Sequence, residues 1–184
     1  MFKRGIWLTC TLILLLSLNF TYAKASDSKA QIVSNLNSFV ERYNSFVKNA
    51  IETDDVFITE YIDENQFNID YKDLMADYKS ETVSLSVDFL ENGEYEGFRL
   101  SVDIGDLGLS ENEQMAAYLN AFAVFRASME GIDPNITEDQ TKDLIGYLFT
   151  NCKWELWKED ARINSLSYDA YIVSNLMGLT AKVV

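Results

Sequence analysis

Residues 82–104 constrain the fold more than any other stretch. Val83, Leu85, Val87 and Phe89 alternate with Ser84, Ser86 and Asp88, and Phe98, Leu100, Val102 and Ile104 form a second alternating run. Period-two patterning marks strands with one buried face. Between the runs stands Glu91-Asn92-Gly93-Glu94. Asn-Gly is the strongest short hairpin signal, because both central residues of a type I′ turn need positive φ. A two-residue Asn92-Gly93 loop pairs 91 with 94. Counting outward sets Val87 against Phe98, Leu85 against Leu100 and Val83 against Val102. The opposite face pairs Ser86 with Arg99 and Ser84 with Ser101 and reads as solvated. The apolar faces coincide, so pattern and turn chemistry agree on register.

Three stretches carry the capping-box spacing, a hydroxyl residue followed three positions later by Glu or Gln: Ser28/Gln31, Ser110/Glu113 and Thr137/Gln140. The first predicts a long helix from near Ser28 to near Glu52, buried along Ile32, Leu36, Phe39, Val40, Tyr43, Val47 and Ala50. The second predicts a helix with Met115, Leu119, Phe122, Phe125 and Met129 as its buried stripe. Gly131 is its C′ residue, and Asp133-Pro134 prevents its resumption. The third carries Leu144, Ile145, Leu148 and Phe149. Thr137 also completes Asn135-Ile136-Thr137, a three-letter glycosylation match that its role as a cap explains equally well.

Elsewhere the pattern is weaker. Asp70 reads as the cap of a short helix carrying Tyr71, Leu74, Met75 and Tyr78. Lys153–Lys158 reads as a strand, with Trp154 and Leu156 on one face and Trp157 on the other. Ile163–Val173 and the tail from Leu179 read as strands joined by a turn containing Gly178; a helix over 167–177 competes. The pentapeptide Ile-Val-Ser-Asn-Leu occurs at 32–36 and at 172–176. The flanks differ, so it reads as coincidence and not as an internal repeat. The sum is an α+β fold: a long N-terminal helix and two further helices packed on one face of an antiparallel β-sheet built from hairpins.

The N-terminus predicts export. Lys3 and Arg4 precede the apolar run Gly5–Phe20, and Ala23 and Ala25 supply small residues for cleavage after either. Residues 1–23 are therefore expected to be a secretory signal peptide and 24–184 a single α+β domain, in a secreted or periplasmic compartment. Cys10 lies inside the apolar run with Thr9 before it, unlike a lipidation site at the end of such a run. Loss of the segment leaves Cys152 as the one cysteine, so an internal disulfide is not expected. The formal charge of −14 becomes two units more negative.

The composition excludes several chemistries. There is no histidine, which removes Ser-His-Asp and Cys-His catalysis and His-ligated metals. Fifteen basic against 29 acidic residues give no footprint for nucleic acid or for an anionic membrane. The loop Asp88–Arg99 carries Gly93 at its sixth place but fails as an EF-hand at Leu90 and Arg99. No G-x-S-x-G, S-x-x-K or phosphate-cradling loop is present. Acids in first helical turns, such as Glu111 and Glu138, are explained by the helix dipole.

These features predict an exported, non-catalytic, acidic interaction protein, with an inhibitor or immunity-type protein for a basic protein partner as the concrete form. No cofactor, metal ligand or catalytic residue is singled out. Trp157, Glu94, Glu96 and Asp160 are the candidate partner contacts. Two alternatives stand beside this. One is a hydrolase using a carboxylate pair across a cleft. The other is a small-ligand carrier with an apolar cavity between the second helix and the sheet.

Overall fold

The computed structural model describes residues 27–49, 61–105, 110–151 and 158–184, with backbone only at 151 and 158–160. Among these residues seven strands form one antiparallel sheet, in the order β1-β2-β3-β4-β7-β6-β5. They are β1 (Asn68–Asp70), β2 (Met75–Lys79), β3 (Val83–Phe89), β4 (Tyr95–Asp103), β5 (Lys158–Ile163), β6 (Leu166–Val173) and β7 (Leu176–Val183). Three helices pack against the sheet: α1 (27–49), α2 (Glu111–Ile132) and α3 (Glu138–Asn151). The expected α+β architecture is what the chain adopts. None of the described helices is long and apolar enough to cross a membrane.

Alternation builds the core. Leu85 and Val87 on β3, Phe98 and Leu100 on β4, Tyr168 and Ala170 on β6, and Met177 and Leu179 on β7 are all buried. They meet the stripe Ile32, Leu36, Phe39, Val40, Tyr43 and Val47 of α1, all of it buried as the helical spacing predicts. The expected terminus of α1 near Glu52 lies outside the described residues, as does the stretch around Trp154 and Trp157.

The hairpin register is as predicted, but its loop is not. Val87 faces Phe98, Leu85 faces Leu100, Val83 faces Val102, Ser86 faces Arg99 and Ser84 faces Ser101. The loop has three residues, not two: Leu90 N–H donates to the Glu94 carbonyl at 2.8 Å, and Gly93 takes φ +84°. Phe89 therefore pairs with Tyr95. The register then shifts so that Asp88 pairs with Gly97, leaving Glu96 as a bulge. One extra loop residue and one bulge residue cancel.

Other local expectations change for identifiable reasons. Ser28 does not cap α1, which has begun by residue 27. Its hydroxyl donates to the Glu91 carbonyl at 2.7 Å, and Gln31 donates to Asn35. Ser28 lies inside the helix, and its hydroxyl ties α1 to the β3–β4 loop. Asp70 starts a turn and not a helix: its carboxylate accepts from the Lys72 and Asp73 N–H groups, after which the chain runs into β2. Strand and not helix is found over 167–173, but Ile163–Val173 is not one strand: Ile163 ends β5 and a turn at Asn164-Ser165 leads into β6; the β6–β7 turn is Ser174-Asn175, and Gly178 lies inside β7. The other two capping boxes form. Glu113 accepts from Ser110 N–H at 2.9 Å and from its hydroxyl at 2.6 Å. Gln140 accepts from Thr137 N–H at 2.8 Å and donates back to the Thr137 hydroxyl.

Helix α2 lies between the other two. On one side Phe39 of α1 closes on Gly131, and Arg42 donates to the Glu130 and Gly131 carbonyls that end α2. A cation at a helix C-terminus is favourable on dipole grounds as well. On the other side Phe125 stacks on Phe149 of α3, with ring centres 5.2 Å apart. Gly131 is thus inside the helix, which runs on to Ile132, and does not serve as its C′ residue.

Candidate functional site: a cleft over the helix layer

Helix α2 is apolar on more than one face. Ala121, Val124, Phe125, Ser128 and Ile132 are buried. The predicted stripe is buried only in its second half: Met115 is 59% exposed and Leu119 and Phe122 are half-buried, while Phe125 and Met129 are fully buried. A helix apolar all round normally sits wholly inside a protein. Here Leu119 and Phe122 form the floor of an open cleft of about 960 Å3. Its walls are Phe46 of α1 and Ile145, Gly146 and Phe149 of α3. Phe122 and Phe149 are tilted against each other at 5.5 Å, tying floor to wall. The cleft lies among the helices, whereas the expected cavity lay between the second helix and the sheet.

One side of the cleft is charged. Arg126 and Glu130 follow Leu119 and Phe122 along α2, and Glu138 and Lys142 face them from α3. Lys142 Nζ is 2.6 Å and Arg126 Nη2 3.5 Å from the same oxygen, Glu138 Oε1. The hydrogen bond and charge of Lys142, with the charge of Arg126, hold the Glu138 carboxyl below its ordinary range. Burial pushes Glu130 the other way. Arg126 opposes that shift and Glu138 adds to it. The guanidinium of Arg126 lies 4.7 Å above the Phe46 ring, and its buried Nε has no acceptor among the described residues.

A second, smaller hollow of about 200 Å3 adjoins the first, sharing Phe46, Asn49 and Glu130. Arg42 and Asp133 complete its polar wall. Arg42 is committed to carbonyls of α2. Asp133 accepts from Asn135 N–H at 2.9 Å and from the Asn164 amide. Among the described residues no group of three or more Cys, Asp or Glu side chains is placed to hold a metal ion.

The residues singled out in the sequence lie away from this cleft. Glu94 is exposed beside the β3–β4 loop and accepts from the Asn92 amide at 2.9 Å. Glu96, the bulge residue, pairs with Lys182 at 3.3 Å. Asp160 is on β5, three strands from β4 in the sheet order, or about 14 Å at the usual strand spacing. Trp157 lies outside the described residues. The structure thus brings Glu94 and Glu96 to one hairpin and does not bring Asp160 to them. Sequence reasoning missed Arg126, Glu130 and Lys142. The available signal was the excess of apolar positions on α2, more than one buried face can use. Comparison of the chain with protein-family models, with curated proteins and with solved structures finds no match.

Proposed function

We propose that the chain is an exported, non-catalytic binding protein and that the helix-layer cleft binds a small amphipathic molecule. The observation that carries this is the outward continuation of the apolar α2 stripe, Leu119 and Phe122, into an open cleft with a charged side. A volume of about 960 Å3 is at the upper end of the usual range for small-ligand sites, roughly 300–1,000 Å3. Apolar walls with a few convergent polar groups are the usual make-up of such sites. The acidity of the chain serves solubility in this reading, and the basic-partner idea loses its central role.

Gly146 provides the test. A β-carbon built there has nothing within 4 Å, so a side chain at this cleft-lining position starts in open space. N-phenyl-1-naphthylamine, an uncharged apolar probe, is expected to brighten on binding the wild-type protein and to fail with Gly146→Trp. Absence of binding to the wild type, or equal binding by the variant, overturns the proposal.

A second reading is carboxylate-pair hydrolysis, favoured by one observation: Glu130 and Glu138 line the same cleft and their acidities are driven apart. Against it, Glu138 is already engaged by Lys142 and Arg126. Turnover of a glycoside or ester that Glu130→Gln abolishes would replace the binding reading with this one.

A further inference from the structure

Building on the reading of the cleft as a small-ligand site, we propose that Gly146 determines its specificity and that the body of the ligand is an aromatic ring system seated over that glycine against Phe149. Charge does not select the ligand, because two acids, Glu130 and Glu138, stand in the cleft against two bases, Arg126 and Lys142. Shape does. Every other glycine among the described residues answers a demand of the fold. Gly93 and Gly105 take positive φ. At Gly97 a β-carbon would strike the Ala181 carbonyl, at Gly131 the Phe39 ring and at Gly178 the Tyr171 ring. Gly146 is helical, and no described atom lies within 4 Å of where its β-carbon would be. A glycine in a helix interior costs stability relative to alanine. Nothing in the packing of the described residues offsets that cost. What Gly146 does have is a place in the cleft wall.

The position is central to that wall. Glu138, Lys142, Gly146 and Thr150 follow one another at intervals of four along α3 and all line the cleft, so they form one stripe. The missing side chain leaves a slot in that stripe and opens the α3 backbone to a ligand. One end of the slot is Phe149, a helical turn further on. Its ring is held by two others. It stacks on fully buried Phe125 at an interplanar angle of 5°, with centroids 5.2 Å apart, and Phe122 meets it at 56° and 5.5 Å. Phe149 is only half-buried and lines the cleft, so the rest of its ring faces the slot. A ring laid over Gly146 extends this aromatic cluster. Offset or edge-to-face aromatic pairing adds roughly threefold to tenfold in affinity beyond the area buried. A flexible chain gains none of this and loses more conformational freedom on binding. On α1 the Phe46 ring is covered by the Arg126 guanidinium at 4.7 Å, which leaves the α3 wall to receive the ligand's ring.

The experiment measures two uncharged ligands on the wild type, Gly146→Ala and Gly146→Leu. N-phenyl-1-naphthylamine, a ring ligand, is titrated directly, and 1-decanol, a flexible chain, is measured by displacement of that probe. Affinity for the ring ligand is expected to fall at least about threefold in Gly146→Ala and further in Gly146→Leu, as the slot fills. Affinity for decanol should change by less than about twofold in Gly146→Ala, because a chain rotates past one methyl group. Alanine favours the helix, so a loss of binding in Gly146→Ala is not a loss of folding. Ring binding as tight in both variants as in the wild type overturns the role of Gly146. Ring and chain weakened in step overturn the aromatic assignment. Either result leaves the cleft reading standing. Failure of the probe to bind the wild type overturns both.

Discussion

The Phe39 ring lies against the α-carbon of Gly131, so that a β-carbon there would sit 2.5 Å from Phe39 Cε2. Phe39 is fully buried and belongs to the core shared by helices and sheet. The absence of a side chain at Gly131 sets how closely α1 approaches α2. That approach in turn places Phe46, one wall of the cleft, beside Arg126. A glycine that resembles a helix terminator in sequence is a spacer in the fold.

Gly131→Ala should therefore destabilise. Overpacking a well-filled core costs about 1–3 kcal/mol, against a gain of up to ~1 kcal/mol in helix propensity. The net expectation is a lower urea midpoint at unchanged slope. A variant as stable as the wild type would mean that Phe39 can move aside freely.

Gly146 gives the opposite expectation from the same substitution. It is exposed in the interior of α3, with nothing near its missing β-carbon. Gly146→Ala should raise stability by roughly 0.5–1 kcal/mol, the usual helix-interior difference. The pair of alanine variants separates a packing glycine from an unconstrained one.

Gly178 on β7 is a third case, on the sheet face opposite the buried one. The Tyr171 ring of the neighbouring strand covers it, and a β-carbon would meet Tyr171 Cζ at 1.9 Å. Gly178→Val should displace that ring and broaden or shift the Tyr171 ring signals in NMR spectra. Unchanged signals would contradict the contact.

The acidity of Glu130 has a signed consequence for stability. Its carboxyl is harder to ionise in the folded protein than in the unfolded chain. The folded state therefore binds more protons between its ordinary and its raised pKa, and stability falls as pH rises through that window. Glu130→Gln, which cannot ionise, should be more stable than the wild type at pH 7. That advantage should shrink as pH falls through the raised value toward the ordinary 4.5 and be gone below it. Urea midpoints across pH 4–7 check the sign; an advantage that grows toward low pH would contradict it.

What the sequence disclosed depended on whether local chemistry and tertiary packing asked for the same thing. The β3–β4 register was legible because alternation and the Asn-Gly signal agree. Even there the loop is one residue longer, and the bulge at Glu96 restores the pairing. Ile-Val-Ser-Asn-Leu shows the limit: the same five residues are helical at 32–36 and run from strand through a turn into the next strand at 172–176. Nothing within them decides; the core around them does. Asp70 was misread because an aspartate that caps a helix and one that opens a turn make the same bonds to following N–H groups. The cleft was hidden for a different reason. Periodicity identifies an apolar face but cannot say whether that face meets protein or ligand, so Leu119 and Phe122 read as ordinary core.

The most direct measurement is a two-dimensional amide NMR titration of the isotopically labelled protein with N-phenyl-1-naphthylamine. Binding in the helix-layer cleft predicts saturable shifts concentrated at Leu119, Phe122, Ile145 and Gly146. Shifts centred on the sheet face around Tyr171 and Gly178, or no saturable shifts at all, would contradict it.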